Sequence, residues 1–257
     1  MPIPPTLIIS ALFAWLDAGI YAYIAWRLRQ RIVSSQEARL AWQLFIVWWA
    51  GLAATTLVSG LLNTLGAFDL ISMPLFIAMT YINILVICAA LWGLLYYLMY
   101  LFTGNSRSLV PLTVFYVVYY ALLVYYITAR VPYDVTVGRW STALAYRTQI
   151  TGPLFVLLLI LLVVPQIIAG LAYFTLYFRV RDVTQKYRIL LVSWSIVVWF
   201  GSALVGSFAG LSQFDWWQIT NRLIGLAATL TILMAYIPPR WVKQRYGIAS
   251  LGETERG

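Results

Sequence analysis

Seven apolar stretches occupy almost the whole chain, near residues 6–27, 40–65, 73–102, 109–128, 151–177, 187–211 and 217–237. A helix needs about 20 residues to cross the hydrocarbon core of a bilayer, and each stretch is long enough to do so. The connections between them are short, so successive helices are expected to be antiparallel neighbours. The expected fold is therefore an all-α integral membrane protein: a seven-transmembrane helix bundle spanning 1–239, followed by a short basic tail at 240–257.

Charge is scarce and unevenly placed. Only 10% of the 257 residues are charged, against 63% hydrophobic, whereas soluble domains carry roughly 25% charged residues. The formal net charge of +9 would suggest a nucleic-acid partner if the charges formed a patch. They cluster at helix ends instead, without interleaved aromatics, so nucleic acid is excluded as a partner.

The distribution of Lys and Arg orients the chain. Alternate connections and the tail carry Arg27, Arg29, Arg31, Arg39, Arg107, Arg179, Arg181, Lys186, Arg188, Arg240, Lys243, Arg245 and Arg256. The other side holds Arg130, Arg139, Arg147 and Arg222, together with Asp69, Asp134 and Asp215. The expectation is a multi-pass protein of the inner (plasma) membrane, N-terminus outside and C-terminus cytoplasmic. The first span has no basic residue before it and a basic cluster after it, the pattern of an uncleaved span rather than a signal peptide.

One connection is longer than a turn. Val131–Val137 alternates at period two, Gly138-Arg139 follows, and Trp140–Tyr146 is again β-prone. This predicts a short extracellular β-hairpin between helices four and five, with an irregular loop or short helix as the alternative. Gly66-Ala67-Phe68-Asp69 and Gly104-Asn105-Ser106 read as turns.

The chemistry is limited by what is missing. The chain has no histidine and a single cysteine, Cys88, within an apolar run. The usual ligand for haem, zinc or copper and the usual proton shuttle are thus absent, and no intrachain disulfide is possible. Span seven, Ile219 to Ile237, has no lysine to hold a retinal-type chromophore as a Schiff base. Neither a phosphate-binding loop nor a nucleophile paired with a base occurs. No enzyme activity and no cofactor or metal are expected.

Four polar residues stand out at membrane depth. Asp17 lies near the middle of span one, where a charge costs about 2.5 kcal/mol or more unless paired, hydrated or protonated. Asn83 lies in span three beside Thr80 and Tyr81, and Gln166 follows Pro165 inside span five. Arg222 stands in span seven, on one face with Asp215 two turns earlier. Asp17, Asn83, Gln166 and Arg222 are the candidate ligand-binding residues, because the costliest groups to expose to lipid should converge on the bundle interior. The alternative for the amides, and for Asn63, is hydrogen bonding between helices. Gly201, Gly206 and Gly210, with Ser202 and Ser207, mark span six as a close-packing surface, either within the bundle or at a dimer face. Abundant aromatics such as Trp42, Trp48, Trp49, Trp216, Trp217 and Trp241 fit interfacial belts.

Two segments carry a resemblance: Ala235-Tyr236-Ile237-Pro238-Pro239-Arg240-Trp241 at the end of span seven, and Gly138-Arg139-Trp140 followed by Tyr146. With seven spans and an outside N-terminus, the chain resembles the seven-transmembrane sensory region at the N-terminus of many bacterial histidine kinases and diguanylate cyclases. In that family the Pro-Pro-Arg-Trp segment leads into a cytoplasmic signalling domain. Here a short basic tail follows Pro239, and the histidine common near the family's outer hairpin is lacking. The resemblance therefore implies a sensory role exercised through a separate partner, without kinase activity. The expected function is a receptor-like or scaffolding membrane module that contacts the lipid bilayer, a small-molecule ligand and a protein partner. An accessory subunit of a larger membrane complex is the alternative, and a small solute transporter the third.

Overall fold

A computed structural model describes residues 5–30, 36–129, 132–146, 153–208 and 211–248. Several features noted in the sequence lie outside these residues: Arg31, Arg130, Arg147 and Arg256 of the charge pattern, Val131, Gly210, the start of span five at Thr151, and the tail beyond Ile248. Seven long helices follow the apolar stretches closely. They are α1 (Pro5–Arg29), α2 (Gln36–Ala67), α3 (Met73–Thr103), α4 (Leu109–Thr128), α5 (Pro153–Arg179), α6 (Val183–Phe208) and α7 (Asp215–Tyr236). Between α4 and α5 run two strands, β1 (Pro132–Val137) and β2 (Thr142–Tyr146), and a short helix α8 (Arg240–Tyr246) closes the described chain.

Among the described residues, five helices are long and apolar enough to cross a membrane: α1, α2, α3, α4 with the 3-10 turn before it, and α7. α5 contributes a shorter apolar stretch, Val163–Arg179. α4 illustrates the character of these helices. It buries Tyr116, Tyr119, Leu123 and Ile127, yet exposes Val110, Val114, Val117, Val118 and Leu122. A helix apolar on every side belongs in a hydrocarbon environment.

The helix ends have local causes. α2 stops because Asp69 takes a left-handed conformation (φ 55°). The N–H of Leu70 then reaches the Leu65 carbonyl at 2.9 Å and that of Asp69 reaches Gly66 at 3.2 Å, which satisfies the last carbonyls of the helix. The turn read at 66–69 thus begins later than its glycine: Gly66 is still helical, and Asp69 is the left-handed residue. α3 begins after Ser72 with Pro74 in its first turn and ends on Gly104 (φ 63°), whose N–H bonds Tyr100. Asp182 caps α6, accepting from the Gln185 N–H at 2.7 Å. Pro238 and Pro239 end α7 as the sequence predicts, but the chain then forms α8 rather than an irregular tail, with Trp241 exposed and Val242 buried.

Contacts divide the chain into two units. The first comprises Met1–Gly19 and Val33–Pro165. Its centre is the antiparallel pair α2–α3, which approach closely at two glycines. A Cβ at Gly51 would lie 2.5 Å from that of Ala90, and a Cβ at Gly93 would overlap the Leu44 carbonyl oxygen. Ala41, Leu44 and Tyr96 form a buried core there, and Phe45 stacks on Tyr97 with ring centroids 4.2 Å apart. α4 is tied to α3 by Trp92 Nε1 donating to Thr113 (3.1 Å) and by the Tyr81–Thr128 hydroxyl pair (2.7 Å). Tyr119 of α4 donates to the Leu157 carbonyl of α5.

The second unit comprises Ile20–Ile32 and Gln166–Gly257. Here α6 and α7 pack antiparallel through reciprocal glycine–tryptophan contacts. Trp217 of α7 lies over Gly206 of α6, and Trp199 of α6 lies 3.5 Å from a Cβ position at Gly225 of α7. Between them Ser202 donates to Asn221 Oδ1 at 2.9 Å. Gly206 is therefore used inside this unit, whereas a Cβ at Gly201 would meet nothing within 4 Å. Gly206→Leu is expected to lower the midpoint of thermal unfolding in detergent. Overpacking costs about 1–3 kcal/mol, which corresponds to roughly 2–4 °C per kcal/mol in a chain of this size. Gly201→Ala should leave the midpoint unchanged or slightly raised; equal losses in both variants would refute this packing.

Candidate functional site

The hairpin is built as the alternation implies. β1 and β2 pair antiparallel with Val137 opposite Thr142, and Gly138–Ser141 makes the turn. The Gly138 N–H closes that turn on the Ser141 carbonyl at 3.0 Å. Trp140, an aromatic in the turn that would be expected to sit in solvent, is instead 8% exposed.

Asn63 of α2 fastens the hairpin. Its amide oxygen accepts the backbone N–H of Thr142 at 3.0 Å, and its amide nitrogen donates to Ser10 of α1 at 3.3 Å. The Thr142 N–H can only donate, which fixes which end of the amide faces it. Asn63, Ser10 and Thr142 are all buried. Gly66, one turn beyond, lets Thr142 approach: a Cβ there would overlap the threonine hydroxyl. This close approach is why Gly66 is glycine. At the hairpin tip, Thr6 of α1 donates to the Arg139 carbonyl. Three segments distant in sequence are thus pinned at one end of the first unit; the Asn63–Ser10 bond is interhelical, as the hydrogen-bonding alternative for the amides supposed, and the bond to Thr142 goes to the hairpin.

The candidate ligand-binding residues divide between the units. Asp17 and Asn83 belong to the first, Gln166 and Arg222 to the second. Within the first unit, helical register brings Thr55 of α2 and Asn83 of α3 to one level. α1 meets α2 where Ser10 accepts from Asn63 and where Trp15 lies against Gly60 and donates to Thr64 at 3.4 Å. Gly51 meets Val86 and Ala90, and one turn on from that contact Thr55 faces Asn83. Thr55 and Asn83 therefore stand at one level of the α2–α3 pair. Asp17 and Asn83 are half-buried, and Asn83 Oδ1 and Thr55 Oγ1 are buried without a hydrogen-bond partner.

From that turn a polar stripe runs along α2 to the hairpin. Thr55, Ser59, Asn63 and Gly66 recur at spacings of four and three and so share one side of the helix. Ser59 is exposed, and Thr142 at the top of the stripe is buried with its hydroxyl unpartnered. Sequence reasoning had no signal for Thr55 or Thr142. A threonine in an apolar helix normally returns its hydroxyl to the carbonyl one turn back, as Thr56 does to Leu52 at 2.9 Å.

In the second unit Arg222 is held by its own helix. Its Nη1 donates to the Gln218 side-chain oxygen at 2.9 Å and to the Gln218 carbonyl at 3.2 Å. The arginine that the sequence offers as a partner for Asp215 is thus oriented in part by Gln218. Gln166 is half-buried on α5 just past Pro165, with α5 continuous through the proline. Tyr21 and Thr229 share a hydroxyl hydrogen bond of 2.9 Å between α1 and α7 in this unit. No group of three or more His, Cys, Asp or Glu side chains suited to a metal occurs among the described residues. No protein-family profile, curated protein or solved structure matches this chain.

Proposed function

We propose that the protein is a receptor-like membrane module: a seven-span bundle that takes a small ligand from the outer side and passes its state to a protein partner. In this reading the N-terminus and the hairpin are outside, the helix α8 is cytoplasmic, and the membrane is the inner (plasma) membrane. The supporting observation is the hairpin fastened through Asn63 and Thr6 at the end of the polar stripe of α2 that begins at Thr55, level with Asn83. A purely structural bundle has no need of a pinned hairpin over half-buried polar groups. Ligand entry beside Ser59 would bear on the hairpin clasp and on the α2–α3 pair together, which gives binding a mechanical output. The likeness of Ala235–Trp241 and Gly138–Trp140 to sensory regions is of a piece with this function.

Topology is the first test. In a Cys88→Ala background, Ser141→Cys should react with a membrane-impermeant maleimide in intact cells, and Ser106→Cys should react only after permeabilisation. The reverse pattern removes the outward site. The functional test is purification from the source membrane in mild detergent. A monomer or dimer stabilised by a small molecule supports the receptor; stoichiometric co-purification within a multisubunit assembly supports an accessory subunit instead. Solute uptake into proteoliposomes would make it a transporter.

A further inference from the structure

We infer that the end of the second unit built by the α5–α6 turn and α8 binds the headgroup of an anionic phospholipid, a phosphodiester with no ammonium group to balance it. The inference goes beyond the receptor reading and rests only on its premise that these helices cross a membrane. α6 and α7 run antiparallel, and Tyr187 of α6 donates to the Met234 carbonyl of α7 at 3.4 Å. That contact joins the first turns of α6 to the last turn of α7. Arg181 comes shortly before Tyr187 in the chain, and Arg240 shortly after Met234. The α5–α6 turn and α8 therefore stand at one end of this unit. The turn and its flanks bring Arg179, Arg181 and Lys186, and α8 brings Arg240, Lys243 and Arg245.

Little negative charge opposes them. Among the described residues of this unit the acidic side chains are Asp182 and Asp215. Asp182 is engaged at the start of α6, where it accepts from the Gln185 N–H at 2.7 Å. Asp215 lies in the first turn of α7, at the opposite end. The basic end thus keeps an excess of positive charge, and Arg181, Arg240 and Arg245 are exposed. Like charges so placed repel one another, and an anion among them relieves that repulsion. A guanidinium can fork two N–H groups onto phosphate oxygens.

The neighbouring rings select a lipid over a soluble anion. Phe178, next to Arg179, is 68% exposed, and Trp241, next to Arg240, is 62% exposed. Trp241 and Arg245, four residues apart, share one side of α8, while Val242 is buried. A soluble anion would neutralise the arginines and leave these rings in water. A phospholipid does both: its phosphate meets the guanidinium groups, and its glycerol and acyl region covers the aromatics, as at the edge of a membrane span. A zwitterionic headgroup would carry an ammonium group towards the same arginines, so a headgroup of net negative charge is the one that matches.

The test is thermal unfolding of the purified full chain in a non-ionic detergent, titrated with phosphatidylglycerol, phosphatidylcholine or soluble glycerol 3-phosphate. The expected result is a saturable rise in midpoint with phosphatidylglycerol alone, diminished at high salt. Arg181→Gln, Arg240→Gln and Arg245→Gln should each weaken the apparent affinity about fivefold, and the triple variant on the order of a hundredfold. Arg240→Lys keeps the charge and should keep most of the affinity. Should the triple variant fail to fold, the single variants carry the same test. An equal rise with glycerol 3-phosphate overturns the lipid in favour of a soluble anion. Equal rises with both phospholipids overturn the role of charge. A loss as large in Arg107→Gln, in the first unit, means diffuse attraction and overturns the site. An acidic protein that co-purifies with the parent and is lost from Arg240→Gln, with no lipid-dependent rise, overturns the lipid in favour of a protein partner. Release of the chain from membranes by alkaline carbonate overturns the membrane reading itself, whereas retention there without any phosphatidylglycerol effect overturns only this site.

Discussion

Replacing Gly93 by valine should unfold the first unit or lower its thermal midpoint by more than any other single change considered for this chain. The expectation comes from what the new carbon would strike. At Gly93 a Cβ overlaps the Leu44 carbonyl oxygen of the neighbouring helix. Backbone cannot rotate away as a side chain can, so α2 and α3 must separate along their shared core at Leu44, Phe45 and Tyr97. Overpacking alone costs about 1–3 kcal/mol, and lost contact between the helices adds to it. Alanine makes the sharper test. In an unconstrained helix Gly→Ala gains up to about 1 kcal/mol, and Gly170, where a Cβ would meet nothing within 4 Å, should show that gain. Gly93→Ala should lose stability instead. Opposite signs for the two substitutions in the same detergent support the α2–α3 register; a gain at Gly93 would show that the helices do not touch there, and with that the level shared by Thr55 and Asn83 would go.

Asn63→Leu should release the hairpin. Leucine fills similar space but removes the acceptor for the Thr142 N–H and the donor to Ser10, both buried. An amide N–H left without an acceptor costs about 1–3 kcal/mol. The expected readout is local: faster trypsin cleavage after Arg139, which is exposed in the hairpin turn, together with a modest fall in thermal midpoint. Thr6→Val removes only the bond to the Arg139 carbonyl at the tip and should accelerate cleavage less. An Asn63→Leu protein cut no faster than the parent would mean that the clasp contributes nothing to holding the hairpin, and the mechanical link proposed between ligand and hairpin would lose its basis.

Seven helices and one hairpin could be read from the chain because each rests on local information. Apolar runs long enough to span hydrocarbon leave the backbone no alternative but to bond to itself, and that is a helix. Pro238-Pro239 ends α7 for equally local reasons, and the alternation through Val135–Val137 with Gly138 after it makes a strand and a turn. The helix α8 is not legible in the sequence because its 7 residues carry too little periodicity to separate a helix from a charged tail. Within the turn at 66–69 the left-handed residue is Asp69, and Gly66 serves the contact with Thr142 instead.

Membrane-depth polarity made Asp17 and Asn83 visible in the sequence as costly residues, and made Asn63 visible without its purpose. Their relations were not visible, because they depend on which helices touch and at what height. Ser10 and Thr142 meet Asn63 from far away along the chain. Thr55 faces Asn83 only because Gly51 and Gly93 let two backbones close on each other. The sequence by itself determined where this chain is helical, where it turns and which groups are expensive to bury, since hydrophobic length, proline and glycine act within a few residues. The tertiary structure alone decided which glycine serves a turn and which serves a contact, and which polar groups share a level, because register between helices is set by side chains interlocking across a seam that no local stretch contains.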